Sequence, residues 1–598
     1  MELLNLDGVI EKGVFEIPSY QRGYAWQKEQ LEDFWNDLEH VSKLGDKFHY
    51  MHSLTLRELE NEFEDSAFEI IDGQQRLATS LILLGLLAKI TQNKDPKYSL
   101  INLEPILSYK YYGLNEAFRA IMGEEKDLEA FKTSFYAKNL IKAYAFFKEK
   151  ISDTPVGTLE KMFDALIKKM LFSVVELNDN RIDPFSSFET INNRGKDLST
   201  LELLKNRLHF VVHKICDEGD LENLQQEIND TYTRIYHDLR FFKDDHLESF
   251  LKHFVAYYYG ENSKFKERLL NTAFDAHKKY DDLYDEYEKI NDLLLHLSYS
   301  SKVWYFLHTL DDEELRIEIT PKMHGLLDKM RRLNALSENA FLPLLLSLLT
   351  IQLAVRSGSE RHYTTQELEG LLEYLERFGF LIYGVADGKN TAKNEWIESA
   401  FRAFKAYKLW GDKITIEDLP TLEKSFFNRQ GNSALELLEE NIHSKKNTKK
   451  WYQWGKALNY LLYEYELYHN PETTLNFDSS LESIEHILPQ KPDQGYSAKE
   501  KNWAKSPNIV HALGNLLLIA KNANSSLSNK PFDEKRKEYL KGSYSEKEVA
   551  KNASFGLIEI QERSEKLLDF LIARYRIAEL VGENEIKAFK NAFLKEIK

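Results

Sequence analysis

Residues 480–491 read SLESIEHILPQK, with an acid and a histidine side by side between apolar neighbours and a proline three residues later. No other stretch narrows the fold as much. Alternation along an extended segment puts Ile484, His486 and Leu488 on one face and Glu485 and Ile487 on the other. Pro489 has no N–H to give a ladder, so the strand stops there. The next legible piece is HALGNLLLIAKNANSSLSNKPFDEKR, residues 511–536. Gly514 and Asn515 mark a turn, LLLIA reads as a short buried strand, and the polar residues 522–526 open a short helix. The predicted order is strand, long loop, strand, helix.

A buried strand gains nothing from an adjacent acid and imidazole, but a metal-assisted hydrolase does. Phosphodiester hydrolysis needs a base that takes a proton from water, and an imidazole titrating near neutrality suits that task. It also needs a cation against the scissile phosphate. A hard ion such as Mg²⁺ prefers a few oxygen ligands, because it keeps water and substrate oxygens. Glu485 and the amide oxygen of Asn524 would supply them, and Asn515 would hold the imidazole in its useful tautomer. The net charge of −17 argues against nucleic acid as a partner, yet charge is local. Residues 501–530 hold four lysines, Lys501, Lys505, Lys521 and Lys530, and no Asp or Glu.

EHILPQ, then LGNLLLI, then NANSSLSNK with Asn524 nine residues after Asn515, resembles the His-Asn-His/Asn (HNH, ββα-metal) nuclease finger. More narrowly it resembles the C-terminal domain of GmrSD-type modification-dependent restriction enzymes. The resemblance implies His486 as general base, Asn515 as the orienting residue, and Glu485 and Asn524 as ligands of Mg²⁺ or Mn²⁺. It implies double-stranded DNA, in particular modified phage DNA, as partner. Lys521, Lys530, Lys535 and His511 are the candidates for DNA contact; the alternatives are solvated lysines and a structural histidine. The third motif position is Asn here rather than His, a variant that the broader family contains.

Three segments near the N-terminus set Arg or Lys beside amide side chains at a turn or helix start. FEIPSYQRGYAWQ holds Gln21 and Arg22, FEIIDGQQRLATS holds Asp72, Gln75 and Arg76, and SSFETINNRGKDLSTLELLKNRL holds Asn193, Arg194 and Lys205. Free N–H groups and the positive dipole end of a helix start favour phosphate. No Walker-type glycine loop is present. IPSYQRGYAW, IDGQQR and FETINNRGKDLS resemble the N-terminal domain of the same GmrSD-type family, a ParB/sulfiredoxin-type fold. That resemblance implies nucleoside-triphosphate binding and hydrolysis (GTP, ATP or another) by these eight residues. His52 stands where that family commonly has glycine. The alternative for each polar residue is a buried network tying strand to helix. For Tyr20, Tyr24 and Trp26 it is plain core packing.

A chain of 598 residues exceeds one core. The expected fold class is α+β, multidomain and helix-rich. The expected domains are 1–215, ParB/sulfiredoxin-like and nucleotide-binding; 216–445, a helical coupling region; and 446–598, the HNH nuclease. Residues 443–450, HSKKNTKK, read as a linker or a solvated loop. The single cysteine, Cys216, forms no internal disulfide, which suits a reducing compartment. The acidic start lacks the basic flank of a signal peptide, and the apolar runs 77–90 and 341–355 are too short to span a bilayer. A cytoplasmic protein without a membrane partner is expected. The function these features imply is a nucleotide-regulated endonuclease or nickase of prokaryotic defence. A modification sensor with an inactive finger and an RNA-cleaving toxin are the alternatives. One finger cuts one strand, so a double-strand break would take a homodimer or successive nicks.

Overall fold

The computed structural model describes residues 2–59, 66–91, 96–111, 113–177, 199–216, 218–275, 283–313, 315, 317–355, 363–409, 411–428, 430–473, 475, 482–492 and 495–597. They form two compact units, Met1–Leu315 and Arg316–Lys598. Helices of the expected middle region fall in both.

The first unit is organised by six strands: β1 (Glu2–Asn5), β2 (Val14–Ile17), β3 (His49–Leu59), β4 (Ala67–Asp72), β5 (Leu107–Tyr109) and β6 (Met170–Glu176). Their order in the sheet is β1-β6-β3-β4-β2-β5. The pairs β1/β6 and β3/β4 are antiparallel, while β6/β3, β4/β2 and β2/β5 are parallel. Helices α1 (Leu6–Lys12) and α2 (Lys28–Lys43) follow β1 and β2. Helix α3 (Gln74–Ile90) starts directly after β4, and Gly73 makes the turn with φ of 99°. Residues 77–88 of α3 are buried on every side, which explains an apolar run with no polar face. Helix α4 (Thr200–Ile215) opens with a capping box between Ser199 and Glu202, as its Ser-Thr start predicts.

Strand β3 contains a bulge. Its pairing with β6 slips between Tyr50 and Ser53, and His52 takes a left-handed φ of 66°. A side chain with a Cβ is strained there.

The second unit is mostly helical. The apolar run 341–355 becomes the buried helix Leu342–Ala354, and no helix among the described residues is long and apolar enough to cross a membrane. A two-stranded antiparallel hairpin, β7 (Glu482–His486) and β8 (Leu516–Ala520), sits among α5 (Lys456–His469), α6 (Lys521–Leu527), α7 (Phe532–Tyr539) and α8 (Leu557–Arg574). The strand–loop–strand–helix order matches the sequence pattern, and LLLIA is β8 itself. Arg574 of α8 bridges the buried Glu376 and Glu464 at 3.0 Å each, and Lys329 meets Glu464 at 2.7 Å. These pairs tie α5 and α8 to neighbouring helices. Residues 443–450 lie within this unit, where buried Asn447 donates to the carbonyls of Asn441 and Lys450 at 3.2 Å.

Replacing His52 with glycine relieves the left-handed strain. His52→Gly is expected to raise the stability of the first unit by about 1 kcal/mol in urea unfolding. A fall instead would show that the imidazole's contacts outweigh the strain.

Candidate active site

Everything at the hairpin turns on how β7 ends. The chain beyond His486 is buried, so its backbone groups need partners inside the protein. Asn515, fully buried, supplies most of them. Its carbonyl accepts from Ile487 N at 3.0 Å, and its Oδ1 accepts from Leu488 N at 2.7 Å. Its Nδ2 donates to Leu488 O at 2.9 Å and Val510 O at 2.7 Å. Gly514 is required beside it, because a Cβ there would lie 2.0 Å from the Ile560 carbonyl of α8. Arg563 of α8 completes the turn by donating to Gly514 O at 2.8 Å and Leu516 O at 2.7 Å.

His486 and Glu485 leave β7 on opposite faces, as alternation predicts. His486 packs its ring 4.9 Å from Tyr452 and 5.0 Å from His511, and it is 6% exposed. Its Nε2 is 2.9 Å from His511 Nδ1, and its Nδ1 is 3.4 Å from the amide nitrogen of Gln490, an exposed residue. An amide N–H can only donate, so the ring proton compatible with both contacts lies on Nε2 and Nδ1 is the free base. His511 therefore orients the imidazole. The Asn515 amide, expected to orient the imidazole, bonds instead to the buried loop that follows His486. His511, expected as a phosphate contact, is 7% exposed.

Glu485 meets Lys535 and Tyr539 on the other face. Its Oε1 accepts from Lys535 Nζ at 2.5 Å and from Tyr539 OH at 3.2 Å. Lys535, expected to contact DNA, is fully buried. Burial pushes the Glu485 carboxyl up and the Lys535 ammonium down, against their mutual attraction. Removing either partner would strand a buried charge, at a cost of about 3–5 kcal/mol. Asn524, half-buried on α6, donates from Nδ2 to Ser483 Oγ at 2.7 Å and Ile484 O at 3.3 Å. Those bonds fix its amide and leave Oδ1 as the part not spent on β7. On the other face, Glu485 Oε1 is taken by Lys535 and Tyr539. No group of three His, Cys, Asp or Glu side chains among the described residues could hold a metal ion. Lys521 and Lys530 are exposed, as phosphate contacts must be.

The first unit gathers its predicted residues around β4 and α3, and most are bonded within the fold. Gln21 donates to Ile70 O at 2.8 Å and Ile71 O at 3.1 Å. Gln75 receives Ala25 N at 2.9 Å and donates to Gly23 O at 3.0 Å. Arg22, buried, pairs with Glu202 at 3.0 Å. Lys205 lies 4.6 Å from the Tyr20 ring centroid, and burial pushes its ammonium down to about 8. Asp72 receives Arg76 at 3.3 Å and Ser53 Oγ at 3.2 Å at the start of α3, and both Asp72 and Arg76 are half-buried. Asn193 and Arg194 lie outside the described residues. The alternative of a network tying strand to helix thus describes Gln21, Gln75 and Arg22.

The model of the GmrSD restriction endonuclease N-terminal domain matches residues 3–209, and that of the GmrSD restriction endonuclease C-terminal domain matches residues 438–570. The chain belongs to the GmrSD restriction endonuclease family. It is a DNA endonuclease of restriction defence. No curated protein matches it.

In this GmrSD enzyme the C-terminal match covers the whole hairpin cluster, including Tyr452, which sequence reasoning missed. Lys449 was missed too; burial first, then His511, Lys535 and lastly Lys449, hold the His486 imidazole down to about 3. Nothing in the sequence pairs residues 449 and 452 with 486. Tyr539 carried a usable signal: it follows Lys535 by one helical turn.

The depressed His486 makes stability depend on pH. Its folded value, about 3, lies below the unfolded value of about 6.5. The unfolded chain therefore binds the extra proton first. The contribution is complete above pH ~6.5 and is lost as pH falls toward 3, by up to about 1.4 kcal/mol per pH unit. Denaturant unfolding of His486→Gln between pH 7 and 4 is expected to show a shallower loss than wild type. Parallel curves would mean that this imidazole is not held neutral by burial.

Proposed function

We propose that the chain is a divalent-metal-dependent endonuclease or nickase of the HNH (ββα-metal) type. In this reading it restricts modified phage DNA, and a nucleoside triphosphate bound by the first unit regulates it. The observation that carries the nuclease half is the fixed imidazole of His486, with Nε2 held by His511 and Nδ1 beside the exposed Gln490. With Gln490 swung aside, His486 Nδ1 takes a proton from water. The water oxygen bonds to phosphorus, and the bond from phosphorus to the sugar oxygen breaks, with that oxygen leaving on the bonding pair and taking a proton from solvent. A Mg²⁺ or Mn²⁺ ion supplies positive charge against the phosphate, and Asn524 Oδ1 is the ligand this chain offers. The exposed Lys521 and Lys530 suit contact with the DNA backbone.

The nucleotide half is supported by the start of α3. Asp72 and Arg76 stand there beside the first-turn N–H groups, which have no intrahelical partner, with Lys205 over the Tyr20 ring. The mixed sheet of the first unit accords with a ParB/sulfiredoxin-type fold. Nucleotide regulates cleavage only if it binds the active and inactive states with different affinity. One hairpin serves one strand, so a double-strand break takes two chains or two successive nicks.

Plasmid nicking in Mg²⁺ tests the first half. His486→Ala is expected to lose cleavage and keep triphosphate hydrolysis, and EDTA is expected to stop the wild type; nicking by the variant at the wild-type rate sinks the base assignment. For the second half, Arg76→Ala is expected to lower triphosphate turnover and blunt its effect on cutting. Turnover and regulation both unchanged would remove the nucleotide site from α3.

A further inference from the structure

The ammonium of Lys535 is saturated, and its partners define what it does. Nζ is fully buried, lies 2.5 Å from Glu485 Oε1, and donates to His486 O at 2.9 Å and Ile487 O at 3.2 Å. An ammonium has three hydrogens to give, and three oxygens take them. One carboxylate and two peptide carbonyls around a positive charge make the oxygen shell a small cation would take. α7 braces that shell through Tyr539, whose hydroxyl reaches the same Glu485 oxygen at 3.2 Å.

The two carbonyls belong to His486 and the residue after it. Asn515 holds the N–H groups of Ile487 and Leu488 and the Leu488 carbonyl, while Lys535 holds the carbonyls of His486 and Ile487. Every one of these backbone groups is therefore fixed, and the imidazole leaves a rigid stem. Glu485 faces away from the imidazole, and its Oε1 is taken by Lys535 and Tyr539.

We propose that Lys535 is the built-in cation of this hairpin: its ammonium takes the cation place beside Glu485, Glu485 is its counter-ion and not a ligand of the catalytic metal, and its two carbonyl bonds position His486. This rests on the nuclease reading for its effect on cleavage, and the metal and unfolding measurements below are independent of that reading.

Three measurements on the full chain test it. Isothermal titration with Mn²⁺ is expected to give Glu485→Gln the wild-type dissociation constant and Asn524→Ala a weakened one; loss of Mn²⁺ binding in Glu485→Gln overturns the proposal. Lys535→Ala is expected to cut plasmid about 10- to 100-fold more slowly, the range for groups that orient a site from behind. Ethylammonium, but not tetramethylammonium at equal ionic strength, is expected to restore part of that rate and to raise the variant's unfolding midpoint. Failure of both rescues counts against a cation at this place. The double variant Glu485→Leu/Lys535→Met removes charge from both sides, which buried pairs tolerate, so it is expected to fold and still cut slowly, because the His486 and Ile487 carbonyls have lost their donor. Cleavage by it at the wild-type rate would make the pair a mere strut. If wild type cuts no DNA at all, the nuclease reading falls, and the Mn²⁺ titration and the unfolding rescue still judge Lys535.

Discussion

A buried strand end cannot leave its peptide groups to water. That constraint governs the hairpin and, through it, the site. Asn515 and Lys535 meet it together from different elements, one side chain neutral and one charged. Arg563 does the same for the turn that carries Asn515. The peptide stem under His486 is thus satisfied by side chains rather than by a wider sheet. Two strands alone are marginal in water; here they are held by helices that donate into them.

The electrostatic cost of that solution is visible. Lys535 and Arg563 are cations buried in the protein, and burial pushes both toward their neutral forms. The same low-polarity surroundings, with Lys449, His511 and Lys535 near, keep the His486 imidazole neutral. A neutral imidazole can accept a proton, and an approaching phosphate would offset the surrounding positive charge. The features that hold the chain also set the protonation state of His486.

The first unit solves a similar problem with amides. Gln21 and Gln75 bond to peptide groups at the C-terminal end of β4 and in the segment after β2, so the polar motif that reads as a phosphate cradle is in part a seam. Asp72 and Arg76, at the start of α3, are the members that remain half-buried.

Local pattern made much of this legible. Alternation placed β7, which ends at His486 and not at Pro489 as expected, and apolar runs placed β8, α3 and the helix Leu342–Ala354. The opposition of Glu485 and His486 follows from a period of two. These features depend on neighbours along the chain, so the sequence by itself determined them, together with the family's motifs. What tertiary structure alone decided was which polar group meets which: His511 on the imidazole, Lys535 on Glu485, Tyr452 and Lys449 against His486. Partners far apart in the chain are chosen by burial, where each donor must find an acceptor within about 3 Å, and no spacing rule along the sequence records that choice.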